Sequence, residues 1–342
     1  MSEKEKLKFA IVGAGTISIY HVLALQQVPG AELITFFESN EANVNNFKQK
    51  FNVPFTASYE KLLANPDIDV MDITLPSGLH SEFGIKAAKA GKHVIVEKPI
   101  DITLEKADAL IDTCKESGVT LGIISQMRFT DDILKLRKYI EEGKLGTLFE
   151  GDAYIKWYRS QAYYESSKWR GTWALDGGGS FINQAIHFID LLLFVMGPVK
   201  WVSAKTRTVA HEIEVEDIGM AMVEFCNGCH GVIQASTAIF PGLPARLEIH
   251  GTKGTVIFEG DRISFLHLEG EEAQSVREID KGGAALSTAI DIDPFVRQYE
   301  DIIHAIHEKR EPRVSGTEAR RALQLIMAIY QSSKEGRAVN LT

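Results

Sequence analysis

Two segments that lie far apart in the chain carry side chains able to hold or move a proton. Lys98 follows the apolar run 93–96, and Asn183 and His187 come shortly after three glycines at 177–179. Four residues apart on a helix, Asn183 and His187 would be neighbours on one face. An imidazole, whose ordinary pKa is about 6.5, can accept a proton near neutral pH, and an ammonium group can stabilise an alkoxide as it develops. These residue types predict acid–base chemistry at an oxygen atom.

The helix that carries Asn183 and His187 is predicted to begin at Ser180, a residue type that often accepts the first backbone N–H groups of a helix. The preceding glycines, 177–179, indicate a backbone that another group approaches closely. Asp190 lies three residues beyond His187 and is therefore near enough to orient its imidazole. The arrangement favours a catalytic histidine over one that only packs in the core.

A second group of residues has the spacing of a dinucleotide-binding turn. Gly13 and Gly15 follow the first apolar run and open a helix, so that their backbone amides can approach a pyrophosphate. Ser18 stands where this motif usually has its third glycine, and serine is small enough for close packing of helix on strand. Glu38 ends the second apolar run, where a carboxylate can accept from both ribose hydroxyls. No arginine follows it and a carboxylate repels a 2′-phosphate, so NAD is favoured over NADP.

The element pattern of the first 125 residues can position these side chains. Short apolar runs alternate with helical patterns, which predicts a doubly wound α/β domain around a parallel sheet. A glycine ends each of two predicted helices, 80–90 and 104–117. Ligands of such sheets bind outside the carboxyl ends of the strands, where Glu97 and Lys98 lie. The strands are predicted at 9–12, 33–37, 70–74, 93–96 and 119–124, with a weaker one at 53–56.

Beyond the first domain the pattern changes to long strands of alternating polarity. Asn227-Gly228 lies between two such runs and predicts a hairpin, so the second domain is predicted to be α+β with a mainly antiparallel sheet. The predicted domains are 1–125, an NAD-binding Rossmann domain, and 126–342, a substrate-binding domain whose last segment can pack back on the first. We expect a cleft between them. Strands are predicted at 149–158, 199–209, 218–239 and 246–258, and helices at 131–143, 294–309 and 317–333.

The composition excludes several classes of protein. The 342 residues include 37 lysines and arginines against 46 aspartates and glutamates, a net charge of −9, which argues against nucleic acid as a partner. No apolar run approaches the roughly 18 residues of a membrane span. Three cysteines cannot form a disulfide framework, so a cytoplasmic protein is expected. Cys226 and Cys229 have the spacing of a redox or zinc motif, but they flank a hairpin turn without a second pair, and no metal site is predicted.

Taken together, the motifs resemble the Gfo/Idh/MocA oxidoreductases, which include glucose-fructose oxidoreductase and inositol dehydrogenase. The resemblance covers essentially the whole chain. It implies a Rossmann domain and a second domain with an open-faced sheet, which commonly forms the contact of a homodimer or homotetramer. It also implies an NAD(P)-dependent enzyme that transfers a hydride between nicotinamide and a secondary hydroxyl or ketone of a sugar, sugar derivative or cyclitol. The segments that carry it are 13–18, Glu38, 75–80, 90–99 and 177–187.

The resemblance implies roles for individual residues. Lys98 would contact both the nicotinamide ribose and the substrate, and His187 would exchange the hydroxyl proton, so these two side chains are expected to meet at one alcohol. Many family members have aspartate where this chain has Asn183. An asparagine cannot accept a proton, so we expect Asn183, the third catalytic residue, to act by positioning. The implied cofactor-binding residues are Gly13, Gly15, Thr16, Ile17, Glu38, Leu75, Pro76, His80, Glu97, Lys98, Gln126, Trp169 and Arg170.

The pair Asn183 and His187, together with 169–173, resembles the UDP-N-acetylglucosaminuronate 3-dehydrogenases. Uronates and nucleotide sugars are therefore among the expected substrates. An aromatic cluster between 157 and 173 is compatible with domain packing or with a stacking platform for a sugar ring, and Arg159 is a candidate partner for an anionic group. The predicted substrate residues are Lys98, Arg159, Tyr163, Asn183 and His187.

The alternative function is a non-catalytic dinucleotide-binding regulator of the same fold, because the resembled family includes a repressor that binds the cofactor without turnover. Lys98 and His187 favour the enzyme, since a sensor needs no proton chemistry. A reductase of another carbonyl is less favoured because the glycine triplet and both polar groups fit a polyol.

Overall fold

The computed structural model describes residues 6–275 and 291–341. Two units, each built around one sheet, account for these residues: 6–126 with 291–320, and 127–275 with 321–341. Among the described residues, no helix is both long and apolar enough to cross a membrane. The strands are β1 Leu7–Val12, β2 Ala31–Phe37, β3 Phe55–Thr56, β4 Val70–Ile73, β5 His93–Val96, β6 Leu121–Ile123, β7 Leu148–Lys156, β8 Val199–Arg207, β9 Ile218–Phe225, β10 His230–Ser236, β11 Arg246–Gly251, β12 Gly254–Glu259, β13 Arg262–Leu268, β14 Gln274–Ser275 and β15 Val339–Asn340. The helices are α1 Thr16–Leu25, α2 Glu41–Lys50, α3 Tyr59–Ala64, α4 His80–Lys89, α5 Leu104–Glu116, α6 Asp131–Glu141, α7 Gln161–Glu165, α8 Ile186–Met196, α9 Asp293–Glu308 and α10 Gly316–Glu335.

The sheet of the first unit is parallel throughout, with the order β3-β2-β1-β4-β5-β6. Its central strands are buried almost along their whole length, as the short apolar runs predict. The order of strands reverses between β1 and β4, which is the switch point where open α/β sheets bind ligands at the carboxyl ends of their strands. The predicted doubly wound α/β fold of this region is confirmed.

The helix α9 joins the first unit from the distant end of the chain. Pro294 in its first turn has a fixed φ that suits the start of a helix. Phe295, Tyr299 and Ile302 on α9 are almost completely buried in the same core as Phe9 of β1. The core of the first unit is therefore assembled from two separated stretches of sequence.

The sheet of the second unit has the order β14-β13-β12-β11-β7-β10-β9-β8-β15 and is antiparallel except for the pair β7–β10. The end of α8 packs on one face, where a Cβ atom at Gly151 would lie 2.8 Å from Met196. The opposite face of the β9–β10 hairpin carries Met220, Met222 and Val232, all exposed. The predicted α+β domain with an open-faced, mainly antiparallel sheet is confirmed.

Two of the hairpins in this sheet can be compared with the sequence predictions. The predicted turn at Gly228, which has φ +86°, joins β9 to β10 and is confirmed. The single strand predicted at 246–258 is wrong, because the chain turns at 252–253 and forms β11 and β12. Apolar alternation continues across this short turn and conceals it. The glycines that flank the turn, Gly251 and Gly254, were the available indication of a hairpin. Strands β13 to β15 were also not predicted.

Candidate functional site

The turn between β1 and α1 has the shape of a phosphate-binding turn. Gly13 has φ +106°, and a Cβ atom there would lie 3.0 Å from the carbonyl oxygen of Thr74, so only glycine fits. A Cβ atom at Gly15 would meet no described atom within 4 Å, which leaves room beside it for a ligand. Ser18 is fully buried and donates to the Gly15 carbonyl at 2.6 Å, which fits close packing of α1 on the sheet. The N-terminus of α1 therefore offers backbone N–H groups and a positive dipole end to an anion.

The Glu38 carboxylate is held at the end of β2 by several donors. Its Oε2 accepts from the Ala14 N–H at 3.0 Å and from the Asn43 amide at 3.2 Å. Its Oε1 accepts from the backbone N–H groups of Ser39 and Asn40 at 2.7 and 2.9 Å. Burial by itself would raise the pKa of this carboxyl, but the donors outweigh burial and the pKa lies below its ordinary value. An ionised acceptor therefore stands where a cofactor ribose is expected.

The carboxyl edge of the same sheet carries most of the other residues predicted to bind a cofactor. Gln126, which follows β6, has a buried side-chain Oε1 with no hydrogen-bond partner among the described residues. A buried acceptor of this kind costs free energy unless a ligand or water supplies a donor. The residues present therefore fit a dinucleotide. The predicted residues that follow β1, β4 and β5 at this edge are Thr16, Ile17, Leu75, Pro76, Glu97 and Lys98.

Lys98 leaves the end of β5 from a closely packed backbone. Within 94–102 it is the one residue that is not buried. Its backbone N–H donates to Oε2 of Glu97 at 3.0 Å. The two ring nitrogens of the buried His80 each lie 2.8 Å from a backbone carbonyl oxygen, one in the loop after β4 and one in the loop after β5. His80, which was predicted to line the cofactor, thus holds together two loops at the cofactor edge.

A buried charged network lies directly behind Glu97 and was not predicted from the sequence. His21 on α1 is fully buried, with Nδ1 at 3.0 Å from Oδ2 of Asp72 and Nε2 at 3.0 Å from Oε1 of Glu97. The Tyr299 hydroxyl donates to the same Asp72 oxygen at 2.5 Å. Burial by itself would lower the pKa of His21, but the two carboxylates raise it to about 10. The sequence contains one indication of this network: Asp72 lies inside an apolar strand, and a buried carboxylate requires a partner.

In the second unit, the segment that carries Asn183 and His187 begins as a π-helix, Ser180–Ala185, and continues as α8. Over 180–193, Asn183 and His187 are the two residues that are not buried. The element therefore presents one polar pair and packs its remaining side chains inside the unit. π-Helical turns of this kind are frequent at functional sites.

Glu216, which the sequence analysis missed, takes the place of a capping residue for this π-helix. Its carboxylate accepts from the backbone N–H groups of Gly179 and Phe181, both at 2.9 Å, and from the Tyr330 hydroxyl at 3.1 Å. Burial raises the pKa of this carboxyl to about 7, against the effect of these donors. The prediction that Ser180 is the N-cap is wrong, because its hydroxyl donates to Glu216 instead. A carboxylate from the distant stretch before β9 satisfies the first N–H groups of the helix.

The glycines before the π-helix are required by close approach, as their spacing indicates. A Cβ atom at Gly179 would lie 1.8 Å from the Glu216 carbonyl oxygen, and one at Gly178 would lie 2.1 Å from the Tyr330 hydroxyl. The groups that approach this backbone are therefore parts of the protein itself.

Asn183 belongs to a chain of hydrogen bonds whose direction is set at both ends. Asp176 Oδ1 accepts from Asn183 Nδ2 at 2.5 Å, and Asn183 Oδ1 accepts from Gln184 Nε2 at 2.9 Å. Gln184 Oε1 in turn accepts from the Arg159 guanidinium at 2.8 Å. A carboxylate only accepts and a guanidinium only donates, so both intervening amides have one orientation. We refer to these four residues as the amide relay.

Two guanidinium groups lie over the ring of Tyr163. The guanidinium carbons of Arg159 and Arg170 are 5.2 and 4.4 Å from the ring centroid. The Tyr163 hydroxyl accepts from Gln184, which links the ring to the amide relay. Arg170 also lies 5.5 Å from the Trp169 ring. Stacking of this kind holds planar cations in place.

The aromatic cluster between 157 and 173 contains both packing and stacking residues. Tyr164 is buried, and its hydroxyl lies 2.7 Å from that of Thr237. Trp173 is exposed and stands edge-on to Tyr330. Packing therefore accounts for Tyr164, whereas Tyr163 supports the two guanidinium groups.

Asp190 has a partner that the helical spacing did not predict. Its two carboxylate oxygens accept from Nε and Nη2 of Arg128 at 2.7 and 2.6 Å, and both side chains are buried. This bidentate pair ties α8 to the residues just before α6. The expected effect of Asp190 on the His187 imidazole stays a prediction.

The cysteines of the predicted hairpin are free thiols. Cys226 is exposed, and the buried Cys229 donates through Sγ to the Leu148 carbonyl oxygen at 3.1 Å. Within the described residues, no cluster of three or more histidine, cysteine, aspartate or glutamate side chains is arranged to hold a metal.

Two family models match the chain. Residues 7–125 match the oxidoreductase family with an NAD-binding Rossmann fold, and residues 133–257 match the GFO/IDH/MocA C-terminal domain. The two matches share one family and cover well over half of the chain.

Individual proteins are similar over most of the chain. The crystal structure of the WlbA dehydrogenase from Bordetella pertussis in complex with NADH and UDP-GlcNAcA is 32% identical, with a TM-score of 0.88 over 99% of this chain and 98% of that one. Myo-inositol 2-dehydrogenase of Thermotoga maritima is 26% identical over 349 residues, 98% of each chain. Levoglucosan dehydrogenase of Pseudarthrobacter phenanthrenivorans is 28% identical over 313 residues, 80% of this chain and 78% of the relative.

Proposed function

Because the chain belongs to the GFO/IDH/MocA family of oxidoreductases, we propose that it uses NAD to oxidise a secondary hydroxyl of an anionic sugar derivative, a uronate or a nucleotide sugar. At the coarser level its activity is that of an NAD(P)-dependent oxidoreductase acting on the CH–OH groups of sugars, sugar derivatives or cyclitols. In this proposal the unit of 6–126 and 291–320 binds NAD, and the unit of 127–275 and 321–341 binds the substrate.

The cofactor would be held at the carboxyl edge of the parallel sheet. Gly13 permits the tight turn, and Gly15 leaves room for the pyrophosphate beside the N-terminus of α1. The ionised Glu38 would accept from the ribose hydroxyls, and it repels a 2′-phosphate, which supports NAD rather than NADP. The orphaned Oε1 of Gln126 would accept from the carboxamide of the nicotinamide.

The proton chemistry is assigned to Lys98 and His187. When bound, the nicotinamide supplies the hydride acceptor. The His187 imidazole accepts the hydroxyl proton while the carbon–hydrogen bond breaks, and the Lys98 ammonium stabilises negative charge on the oxygen. Asn183 donates to Asp176 and accepts from Gln184, so its amide is held in one orientation, and we assign it a positioning role beside the reacting hydroxyl.

The observation that supports an anionic substrate is the amide relay, which ends at Arg159, together with the second guanidinium group over Tyr163, that of Arg170. Arg159 lies over the Tyr163 ring and is oriented by Gln184, which itself donates to Asn183. A guanidinium is the side chain best matched to a carboxylate or phosphate group. The similar WlbA dehydrogenase was crystallised with UDP-GlcNAcA, a nucleotide sugar acid, which supports the same class of substrate here.

A panel of matched neutral and acidic sugars tests the proposal. Glucose is compared with glucuronate, and UDP-GlcNAc with UDP-GlcNAcA, each with NAD and with NADP, while NADH or NADPH formation is followed by ultraviolet absorbance. Myo-inositol and levoglucosan serve as neutral references. We expect kcat/KM for the acidic member of a pair to exceed that for the neutral member by about tenfold or more, with NAD preferred. Preference for the neutral members would contradict the anionic substrate.

A dinucleotide-binding regulator without turnover is the second candidate function. It would show tight NAD binding by calorimetry and no reduced cofactor with any sugar of the panel. The polar pair Asn183 and His187, the two residues not buried over 180–193, favours the enzyme.

We also propose that copies of the chain associate through the exposed face of the β9–β10 hairpin, as a homodimer or homotetramer. Met220, Met222 and Val232 form an apolar patch there, and such patches commonly mark interaction surfaces.

The three free cysteines support a reducing compartment, the cytoplasm. A fluorescent fusion seen outside the cytoplasm would contradict this location.

A further inference from the structure

We propose that His21 is a positioning residue for Lys98: by holding the Glu97 carboxylate, it fixes the strand end that presents Lys98 to the substrate. The role of Lys98 rests on the proposed function. The link from His21 to Lys98 stands on contacts within one unit.

The path from His21 to Lys98 has two hydrogen bonds. Nε2 of His21 donates to Oε1 of Glu97 at 3.0 Å, and Oε2 of the same carboxylate accepts the Lys98 backbone N–H at 3.0 Å. The carboxylate therefore cannot rotate without breaking one of these bonds. Since Lys98 is the one unburied residue within 94–102, fixing its backbone also fixes the direction in which its side chain leaves β5.

The far side of the His21 ring is equally constrained. Nδ1 lies 3.0 Å from Asp72 Oδ2 and 2.8 Å from the Tyr299 hydroxyl, which itself donates to Asp72. The ring of His21 is thus held from β4 and α9 on one side and meets the end of β5 on the other. His21, Asp72 and Tyr299 are fully buried, so water does not compete for these bonds.

Stability alone does not account for this network. Desolvation of buried ionic groups offsets most of their attraction, so apolar side chains of similar volume are often as stabilising. A satisfied polar network instead specifies one orientation of its members. The member of this network that reaches the cofactor edge is Glu97, whose backbone neighbour is Lys98.

The test compares two variants of the same buried network. His21→Gln removes the imidazole that pairs with Glu97. Tyr299→Phe removes the hydroxyl that contacts Asp72 and Nδ1 of His21, but it keeps the bonds of the His21 ring to Asp72 and to Glu97. Both are checked for folding by circular dichroism and thermal unfolding, and their NAD affinity is measured by calorimetry.

The first readout needs no substrate. Acetic anhydride labelling of the apoprotein, followed by peptide mass spectrometry, gives the reactivity of Lys98 relative to the exposed Lys168. We expect His21→Gln to raise this ratio by about threefold or more because the strand end is released, and Tyr299→Phe to leave it unchanged. An unchanged ratio in folded His21→Gln, or an equal rise in Tyr299→Phe, overturns the proposal.

The second readout is turnover of the acidic sugar identified by the panel. In His21→Gln we expect kcat to fall about tenfold or more, with KM and NAD affinity nearly unchanged, because Lys98 is misplaced rather than lost. Tyr299→Phe should keep kcat even if its thermal stability falls. If the panel yields no substrate, the proposed function fails while the labelling result still decides the link from His21 to Lys98.

A second variant covers the case in which His21→Gln does not fold. Glu97→Gln keeps the volume of the side chain and an oxygen for the Lys98 N–H, but its amide cannot pair with the His21 ring as a carboxylate does. It should reproduce the rise in Lys98 labelling and the loss of kcat. The double variant His21→Gln/Glu97→Gln, where it folds, should be no worse than the more impaired single variant, since both act through one path. Wild-type labelling in Glu97→Gln contradicts the proposal.

Discussion

Lys98 and His187 differ in what they are proposed to contact, and kinetics can separate them. Lys98 is expected to contact both cofactor and substrate, and His187 only the reacting hydroxyl. His187→Ala should therefore lower kcat by about a hundredfold or more and leave NAD affinity nearly intact, whereas Lys98→Ala should impair both. Steady-state kinetics and calorimetric NAD titration check this. His304→Ala, at an exposed histidine of α9, is the matched control and should change neither quantity. Equal turnover by wild type and His187→Ala would remove the assignment of the base.

Arg159 is the residue on which the substrate class depends. Arg159→Gln removes the cation but keeps a side chain able to hydrogen-bond with Gln184. We expect KM for the acidic sugar to rise about tenfold or more, because a charge-assisted hydrogen bond is lost, with little change for its neutral partner. The control is Arg207→Gln, at an exposed arginine at the end of β8. An equal rise in KM for neutral and acidic sugars would indicate a structural role for Arg159.

At the scale of elements, the π-helix depends on the absence of a side chain at Gly179. The φ of Gly179, −116°, lies outside the left-handed region, and the steric constraint there is the Glu216 carbonyl oxygen, which would lie 1.8 Å from a Cβ atom. Gly179→Ala should cost about 3 kcal/mol or more by overpacking and should lower activity, as followed by urea unfolding and kinetics. A Cβ atom at Gly143 would meet no described atom within 4 Å, but this glycine has φ +69°. Gly143→Ala should therefore lower the free energy of unfolding by only about 1 kcal/mol, from backbone strain. Similar losses of unfolding free energy in the two variants would contradict a steric clash at Gly179.

Glu216 makes the stability of the same element depend on pH. Its pKa in the folded protein is about 7, above the ordinary 4.5, so between these values the folded state binds more protons than the unfolded state. Its contribution to the free energy of unfolding is therefore full below about pH 4.5 and declines as pH rises to 7, by at most about 3 kcal/mol. Glu216→Gln should lack this decline, so the stability difference from wild type should narrow over that range. Thermal unfolding at several pH values measures this stability difference. If the stabilities of the two proteins change with pH in parallel, the titration of Glu216 is contradicted.

At the scale of the whole molecule, the exposed face of the β9–β10 hairpin is the surface proposed for self-association. Met222→Glu places a charge between Met220 and Val232 and should disfavour burial of this face against a copy of the chain. Light scattering should show a mass below that of the wild type: one chain from a dimer, or two chains from a tetramer. Val209→Glu, at an exposed valine outside β9 and β10, is the control and should keep the wild-type mass. A wild-type mass for Met222→Glu would place the contact elsewhere.

The features predicted from the sequence were those encoded over short stretches of chain. The glycine turn, the parallel strands and the hairpin at Gly228 each depend on neighbours a few residues away. The polar pair Asn183 and His187 also depends on local spacing. Prediction failed at the turn after β11, because alternation of polar and apolar residues continues across a two-residue turn.

The sequence by itself determined the two kinds of sheet and the family, because periodicity and short motifs are local properties. Only the tertiary structure decided the partners of the buried polar groups. His21 meets Glu97 across 76 positions of sequence, and Glu216 replaces the expected cap at Ser180 from 36 positions away. No local rule selects such pairs, because a buried charge requires a partner somewhere in the fold but the packing of elements decides which one comes within hydrogen-bond distance.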